Sequence, residues 1–154
     1  MKAILNFINL SFLPRSPDVA LLVLRVWVGA SMLLLHGWSK LQNFRSLQEQ
    51  FADPTGLGMP NSLALALCVF AEVPCSIFIA LGLLTRFAAL VGAINMGVAF
   101  FLVHKMDIKF GTGGTGELAF LYLMAYVTLF ISGPGRFGFD HQASPRKRPR
   151  PAQD

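Results

Sequence analysis

Apolar residues along this chain come in long runs, and short segments between the runs hold most of the charged residues. A water-soluble helix would instead show an apolar stripe at helical spacing. Runs of this kind are typical of helices that cross a bilayer, which need about 17 to 25 residues. The pattern therefore predicts an all-α, polytopic membrane protein, a four-helix bundle with spans at about 18–39, 63–84, 87–103 and 117–131.

The segments between and before these spans also carry helical signals. Ser16 and Pro17 supply a cap and a first-turn proline for the first span. Phe44, Leu47 and Phe51 recur at helical spacing among polar residues and predict a half-submerged helix after that span. A short interfacial helix is expected before Pro14. We therefore assign residues 1–140 to one membrane domain that includes this N-terminal helix.

Composition agrees with a membrane protein, since 54% of the residues are hydrophobic and 14% are charged. The formal net charge of +5 could suggest nucleic acid, but much of it lies in the C-terminal "RKRPRP". We interpret 141–154 as a basic, disordered tail attracted to anionic lipid headgroups, and no nucleic acid partner is expected.

Lysine and arginine also predict the orientation of the chain. They are concentrated at the N-terminus, in the "TR" turn between the second and third spans, and in the tail. Because basic residues favour the cytoplasmic side, both termini should be cytoplasmic. His36 and His104 should then face the opposite side of the membrane, which is the periplasm or the cell exterior in a bacterium.

Arg25 and Glu72 interrupt the apolar runs. Arg25 lies about two turns inside the first span and Glu72 near the centre of the second. A charge near the bilayer centre costs about 2.5 to 3.5 kcal/mol on insertion scales, so it needs a partner, a proton or a water-exposed cavity. Antiparallel neighbouring spans would bring both charges together. We therefore expect Arg25 and Glu72 to share a buried polar network.

Other polar residues fall on the same helical faces as these two charges. One face of the first span carries Arg25, Gly29, Met32 and His36, and one face of the second carries Cys68, Glu72 and Ser76. Two interpretations stay open, a ligand-lined cavity and buried charges that fix helix register. His36 and His104 are ligands or interface-anchored rings, and Asn95 is a substrate contact or a hydrogen bond between helices.

The two cysteines, Cys68 and Cys75, lie seven positions apart in one apolar run. On a helix this is roughly 10 Å of rise, too far for a disulfide. We interpret both as small packing residues.

The order of several short motifs resembles the DoxX family of small four-helix membrane proteins. These motifs are "LR…LHGWSKL", "GLGMP", "AEVPCSIFIALGLLTRFAAL", "INMGVAFFLVH", a glycine-rich loop ending in "GE", and "SGPGRFGFD", within residues 21–140. The resemblance implies an inner-membrane bundle associated with quinone-linked sulfur oxidation, as in thiosulfate:quinone oxidoreductases, or with oxidative-stress complexes. The recurrent polar positions of the family map onto Arg25, His36, Lys40, Glu72, Arg86, Asn95, His104 and Glu117.

These observations lead to a functional expectation, a membrane subunit of a quinone-dependent oxidoreductase. Glu72 and His36 are the expected catalytic residues, which would move protons. The expected cofactor is a quinone and no metal site is expected. The residues expected to bind the cofactor are Arg25, Lys40, Arg86, Asn95, His104 and Glu117. No haem or iron–sulfur motif is present in the sequence, so electrons would come through the quinone or a partner.

Two alternatives belong to other classes of function. A non-catalytic membrane anchor or assembly factor would use the polar network to fix the bundle and recruit soluble enzymes. A small transporter would use the same charges, but four short spans disfavour alternating access. Besides the lipid bilayer, the expected partners are soluble or membrane redox subunits, and a homo-oligomer is a further option.

Overall fold

Apolar helices make up most of the protein in a computed structural model, which describes residues 16–108 and 115–143. Helices α1 (Pro17–Gln42), α3 (Asn61–Leu81) and α4 (Thr85–Val103) are long and apolar enough to cross a membrane. Helix α5 (Thr115–Ser132) is also apolar but shorter. The short helices α2 (Phe44–Leu47) and α6 (Phe139–Ala143) lie outside these four. Each predicted apolar span thus corresponds to a helix, and no strand occurs in the described residues.

Two predicted segments fall wholly or largely outside the described residues. The interfacial helix expected before Pro14 lies outside them, and so does the basic tail beyond Ala143. Residues 141–143, which the sequence assigned to the tail, are part of helix α6.

Local sequence explains where the long helices begin and bend. Ser16 caps α1 by accepting a hydrogen bond from the Val19 amide at 3.3 Å, and Pro17 occupies the first turn, as predicted. Helix α3 is interrupted at Val73, whose φ of −110° and ψ of −75° depart from helical values directly before Pro74. A proline has no N–H to donate and its ring crowds the preceding turn, so the helix bends there.

The bundle core lies between α1, α3, α4 and α5. Among its buried members are Met32, Ile79, Ala88, Tyr126 and Leu129. A smaller cluster lies beside α3, where Phe44, Leu47 and Phe51 pack on Leu65, Val69 and Val73. The segment predicted to be half-submerged therefore packs its apolar residues against a helix.

Glycines set the close approach of α1 to α3. A Cβ at Gly29 would lie 2.5 Å from the Ser76 carbonyl oxygen, and one at Gly37 would lie 2.7 Å from that of Glu72. A larger side chain at either position would push the two helices apart. Small residues at helix contacts are typical of membrane proteins, where close backbone approach replaces hydrophobic burial as the source of packing energy.

Two π-helical turns interrupt the regular geometry. One spans Leu33–Gly37 in α1 and the other Ala99–Val103 at the end of α4. Such a turn inserts one extra residue, so the residues after it are rotated by about 100° relative to a regular helix. Both turns lie at the same end of the bundle, where the candidate site is found.

At the opposite end, residues 133–140 close the bundle, and we call this segment the C-terminal strap. The Arg136 amide donates to Asp18 Oδ1 at 2.9 Å, and the Asp140 amide donates to the Gly82 carbonyl at 3.0 Å. The beginning of α1, the α3–α4 turn and the strap therefore lie together.

Candidate functional site

Lys40 and Glu72 form an ion pair between α1 and α3. The Lys40 ammonium donates to both carboxylate oxygens of Glu72, at 2.5 and 2.6 Å. The Glu72 side chain is 4% exposed and that of Lys40 is 29% exposed. A carboxylate buried to this degree requires such a partner, because an unpaired charge in a low-dielectric interior costs several kcal/mol.

The predicted pairing of Glu72 with Arg25 is wrong. Glu72 is bound by Lys40, whereas the Arg25 guanidinium packs against Gly82 and Gly138 at the other end of the bundle. The glycine contacts explain this: Gly29 lies opposite Ser76 and Gly37 lies opposite Glu72. Arg25 is therefore about twelve residues, or roughly 18 Å along the axis, from the level of Glu72.

The π turn in α1 explains why Lys40 reaches Glu72. On a regular helix His36 would share the face of Arg25, Gly29 and Met32, as the sequence predicted. The extra residue places Gly37 on that face instead, where it is buried, and rotates Lys40 towards α3. Turns of this kind are frequent at functional sites.

The ion pair lies in a cavity of about 560 Å³ between α3, α4 and the loop that follows α2. Apolar side chains form most of its wall. The residues with polar side-chain atoms that line it are Lys40, Thr55, Cys68, Glu72, Asn95 and His104. The structure thus brings together Lys40, Glu72, Asn95 and His104, all of which the sequence selected, and their functional roles stay predictions.

One side of the cavity is bounded by side chains on the outer surface of the bundle. Leu67 and Phe70 of α3 are 52% and 41% exposed, and Ile94 of α4 is 60% exposed. In a bilayer these positions face acyl chains. The cavity therefore borders the lipid between α3 and α4.

A loop built by Asp53 covers another side of the cavity. The Asp53 carboxylate accepts bonds from the Thr55 amide at 2.9 Å, the Thr55 hydroxyl at 2.6 Å and the Met59 amide at 3.1 Å. The hydrogen bonds from Thr55, chiefly from its hydroxyl, lower the pKa of this carboxyl. Phe51, Thr55 and Met59 line the cavity, and we call residues 51–59 the lid. The hydrogen bonds to Asp53 hold the lid in its conformation.

The Cys68 thiol is part of the polar cluster. It lies 3.4 Å from Glu72 Oε1, and it also interacts with the side chain of Asn95. Cys75 is buried in the core, and both cysteines are unpaired thiols. The interpretation as a packing residue is thus confirmed for Cys75 but is incomplete for Cys68. The sequence did carry a sign of this contact, because Cys68 and Glu72 are one helical turn apart and therefore share a face of α3.

His36 lies outside the cavity lining. Its ring meets that of Tyr122 edge-on, with centroids 5.7 Å apart. The Tyr122 hydroxyl donates to Ser31 at 2.9 Å, and Ser31 donates to the Trp27 carbonyl at 2.7 Å. His36 therefore belongs to a separate polar contact between α1 and α5.

Arg86 and Glu117 are not brought to the cavity either. Arg86 donates to the Ile131 carbonyl at 3.1 Å and thereby caps the end of α5. Glu117 is exposed in the first turn of α5. Sequence reasoning missed the lid residues Phe51, Thr55 and Met59, because no side-chain pattern marks a loop that folds back over a helix.

The fold and the cavity define the class of protein, an α-helical membrane protein with an ion pair buried beside a cavity at the lipid boundary. The DoxX family model matches residues 20–105, which is more than half of the chain, so the chain belongs to the DoxX family. The chain is 32% identical over 118 residues to an uncharacterized protein of Haemophilus influenzae, covering 75% of this chain and 84% of the relative.

A further uncharacterized protein of the same organism is 26% identical over 125 residues, which cover 79% of this chain and 82% of that protein. No solved structure matches the chain.

Proposed function

We propose that this DoxX protein is the membrane subunit of a quinone-linked redox system in the bacterial inner membrane, and that the cavity beside Glu72 holds the quinone. The single observation that carries this proposal is the cavity of about 560 Å³, which combines apolar walls with Lys40, Glu72, Asn95 and His104. Cavities of about 300 to 1,000 Å³ with a few convergent polar groups are typical of small-molecule sites.

The residues present fit a quinone head group. A quinone ring is flat and apolar, and its two carbonyl oxygens accept hydrogen bonds. Lys40 and Asn95 carry N–H donors at the cavity, and His104 adds a further ring nitrogen. The lipid border between α3 and α4 suits an isoprenoid tail, which would remain among the acyl chains.

When bound, a quinone supplies chemistry that takes up two electrons and two protons. Glu72 is placed at the cavity to hold or release a proton at its carboxylate oxygens, and Lys40, which donates to both of them, fixes the orientation of the carboxylate. The electrons would come from a reduced sulfur compound or from a partner subunit. His36, which the sequence also selected for proton transfer, contacts Tyr122 instead of the cavity, so Glu72 is the better-supported proton carrier.

Quinone binding can be tested directly on the purified protein in nanodiscs. The probe is tritiated decylubiquinone, with binding measured by scintillation proximity. Asn95→Leu removes a donor at the cavity and should raise Kd about tenfold, the equivalent of one hydrogen bond of about 1.4 kcal/mol. Asn61→Leu is the matched control, because Asn61 is exposed at the start of α3 and does not line the cavity.

Two outcomes would contradict this proposal. If the wild-type protein shows no saturable binding, and a soluble enzyme copurifies through the loops, the protein is an anchor or assembly factor. If quinone binds with equal affinity to the wild type and Asn95→Leu, the quinone lies elsewhere. Uptake of a solute into proteoliposomes would instead support a transporter.

A further inference from the structure

Arg25 has no use in the proposed quinone site, yet it is the largest fully buried side chain in the described residues. Its exposed fraction is 0%, and Nε, Nη1 and Nη2 have no hydrogen-bond partner among the residues that the structure describes. The Thr85 hydroxyl is likewise buried and unpartnered. A guanidinium has five N–H donors, and leaving them unmatched in a dry interior is costly.

The C-terminal strap and the α3–α4 turn enclose this guanidinium. A Cβ at Gly82 would clash with Arg25 Nη1, and one at Gly138 would lie 3.1 Å from the same atom. Gly82 also has a φ of +73°, which strongly favours glycine. Both glycines therefore keep the backbone against the guanidinium.

An anion of the protein already lies beside these donors. The two carboxylate oxygens of Asp140 accept hydrogen bonds from the Leu84 and Thr85 amides, at 2.7 and 2.8 Å, at the beginning of α4. The first amides of a helix lack partners within the helix and favour negative charge. Asp140 also attracts Arg25 electrostatically, but its oxygens bond the amides and leave the guanidinium donors unmatched.

We propose that Arg25, Thr85 and the N-terminus of α4 form an oxyanion-binding site that the strap closes, with Asp140 acting as a built-in occupant. In this geometry both Asp140 oxygens are held on the amides, and neither accepts a hydrogen bond from the guanidinium. A tetrahedral oxyanion such as phosphate or sulfate supplies four oxygens, enough to bind the amides and the guanidinium together. Lifting the strap withdraws Asp140 and admits the external anion. That anion is a free oxyanion or the phosphate of a lipid headgroup.

This site is distinct from the quinone cavity and would exist whether or not quinone binds. It lies at the opposite end of the bundle, and neither Arg25 nor Asp140 lines the cavity. A failure of one proposal therefore leaves the other unaffected.

The test uses Asp140→Asn, which keeps the size of the side chain but removes its charge. The full-length protein is placed in nanodiscs of phosphatidylcholine, and thermal unfolding is followed with phosphate or sulfate against chloride at equal ionic strength. The variant should bind phosphate about tenfold more tightly than the wild type, because the built-in competitor has gone. Glu49→Ala is the control, since it removes one negative charge at an exposed position.

A second variant keeps the test informative if Asp140→Asn is merely destabilised. Asp140→Asn combined with Arg25→Met should lose the phosphate response while unfolding reversibly in chloride. Nanodiscs that contain phosphatidylglycerol separate the sources: protection of Asp140→Asn by this lipid without added phosphate identifies a headgroup. The proposal is overturned if phosphate, sulfate and phosphatidylglycerol all stabilise Asp140→Asn no more than Glu49→Ala.

Discussion

At the scale of single residues, Glu72 illustrates what a carboxylate inside a membrane helix requires. The Lys40 ammonium donates to both of its oxygens, and the Cys68 thiol lies 3.4 Å from Oε1. Such a pair adds little net stability relative to apolar residues, but removing one partner leaves the other as an unpaired buried charge. Burial of the Glu72 carboxylate therefore depends on its hydrogen bonds from Lys40, and a change that removes these bonds should destabilise the protein.

A double-mutant cycle measures this dependence. Lys40→Met should destabilise the protein by about 3 kcal/mol, because it leaves Glu72 buried and unpaired. Glu72→Gln removes that charge, so the double variant should lose less than the sum of the single variants, with a coupling energy of about 1 to 3 kcal/mol. Reversible unfolding in mixed detergent micelles gives each value.

Arg25 supplies the matched control for this cycle. Because Arg25 lies against Gly82 and Gly138, the effects of Arg25→Met and Glu72→Gln should add within about 0.5 kcal/mol. Coupling between Arg25 and Glu72, together with additivity for Lys40 and Glu72, would refute the assignment of the pair.

Sequence reasoning at this scale predicted that Glu72 needs a cation and chose the wrong one. Composition and spacing give the depth of a residue in its own helix but not the relative height of two helices. That height depends on the contacts of Gly29 and Gly37, whose effect on approach is visible only once both backbones are placed. Asn95 and His104, which line the cavity, could be selected from the sequence because a polar residue in or beside an apolar run stands out wherever the helix lies. Their functional roles stay predictions.

At the scale of elements, the π turn in α1 and Gly37 act together. The turn places Gly37 on the face of α1 that meets α3, and the missing side chain lets the two backbones approach. This contact sets the separation across which Lys40 bonds Glu72. No periodicity argument predicts such a turn, since a single extra residue leaves the hydrophobic pattern of α1 nearly unchanged.

Gly37→Ala tests this arrangement. The added methyl group would lie 2.7 Å from the Glu72 carbonyl oxygen, so α1 and α3 must separate. We expect a loss of about 1 to 3 kcal/mol in unfolding free energy and a weakened ion pair, as overpacking usually costs this much. Thermal and detergent unfolding check the result.

Gly97→Ala is the matched control on α4. A Cβ there meets nothing within 4 Å. Alanine also favours the helix over glycine by about 0.5 to 1 kcal/mol, so this variant should be unchanged or more stable. Equal destabilisation by the two substitutions would show that the contact at Gly37 has no special importance.

At the scale of the whole molecule, the beginning of α1, the α3–α4 turn and the strap share one end of the bundle, and the lid and cavity share the other. The long apolar runs predicted the apolar helices of the bundle, because the bilayer imposes length and composition on any helix that crosses it. The lid and the strap were not predicted as structural units, since their positions depend on single carboxylates, Asp53 and Asp140, bonding backbone amides.

The end of the bundle that holds the beginning of α1, the α3–α4 turn and the strap is predicted to face the cytoplasm. Because basic residues favour the cytoplasmic side, green fluorescent protein fused at the C-terminus should fluoresce, and alkaline phosphatase fused there should be inactive. Alkaline phosphatase inserted after Gly56, in the exposed part of the lid, should be active. The reverse pattern would place the strap outside and the cavity at the cytoplasmic face.

The border of the cavity with lipid, at Leu67, Phe70 and Ile94, changes how affinity must be expressed. A hydrophobic ligand arriving sideways equilibrates with the acyl phase, so its mole fraction in lipid drives occupancy. Adding empty liposomes at constant total ligand would lower the mole fraction of ligand in the lipid. The fraction of protein with bound ligand would then fall, although the aqueous volume stays the same. Dissociation constants quoted per litre would then drift with lipid content, while those quoted per lipid molecule would hold steady.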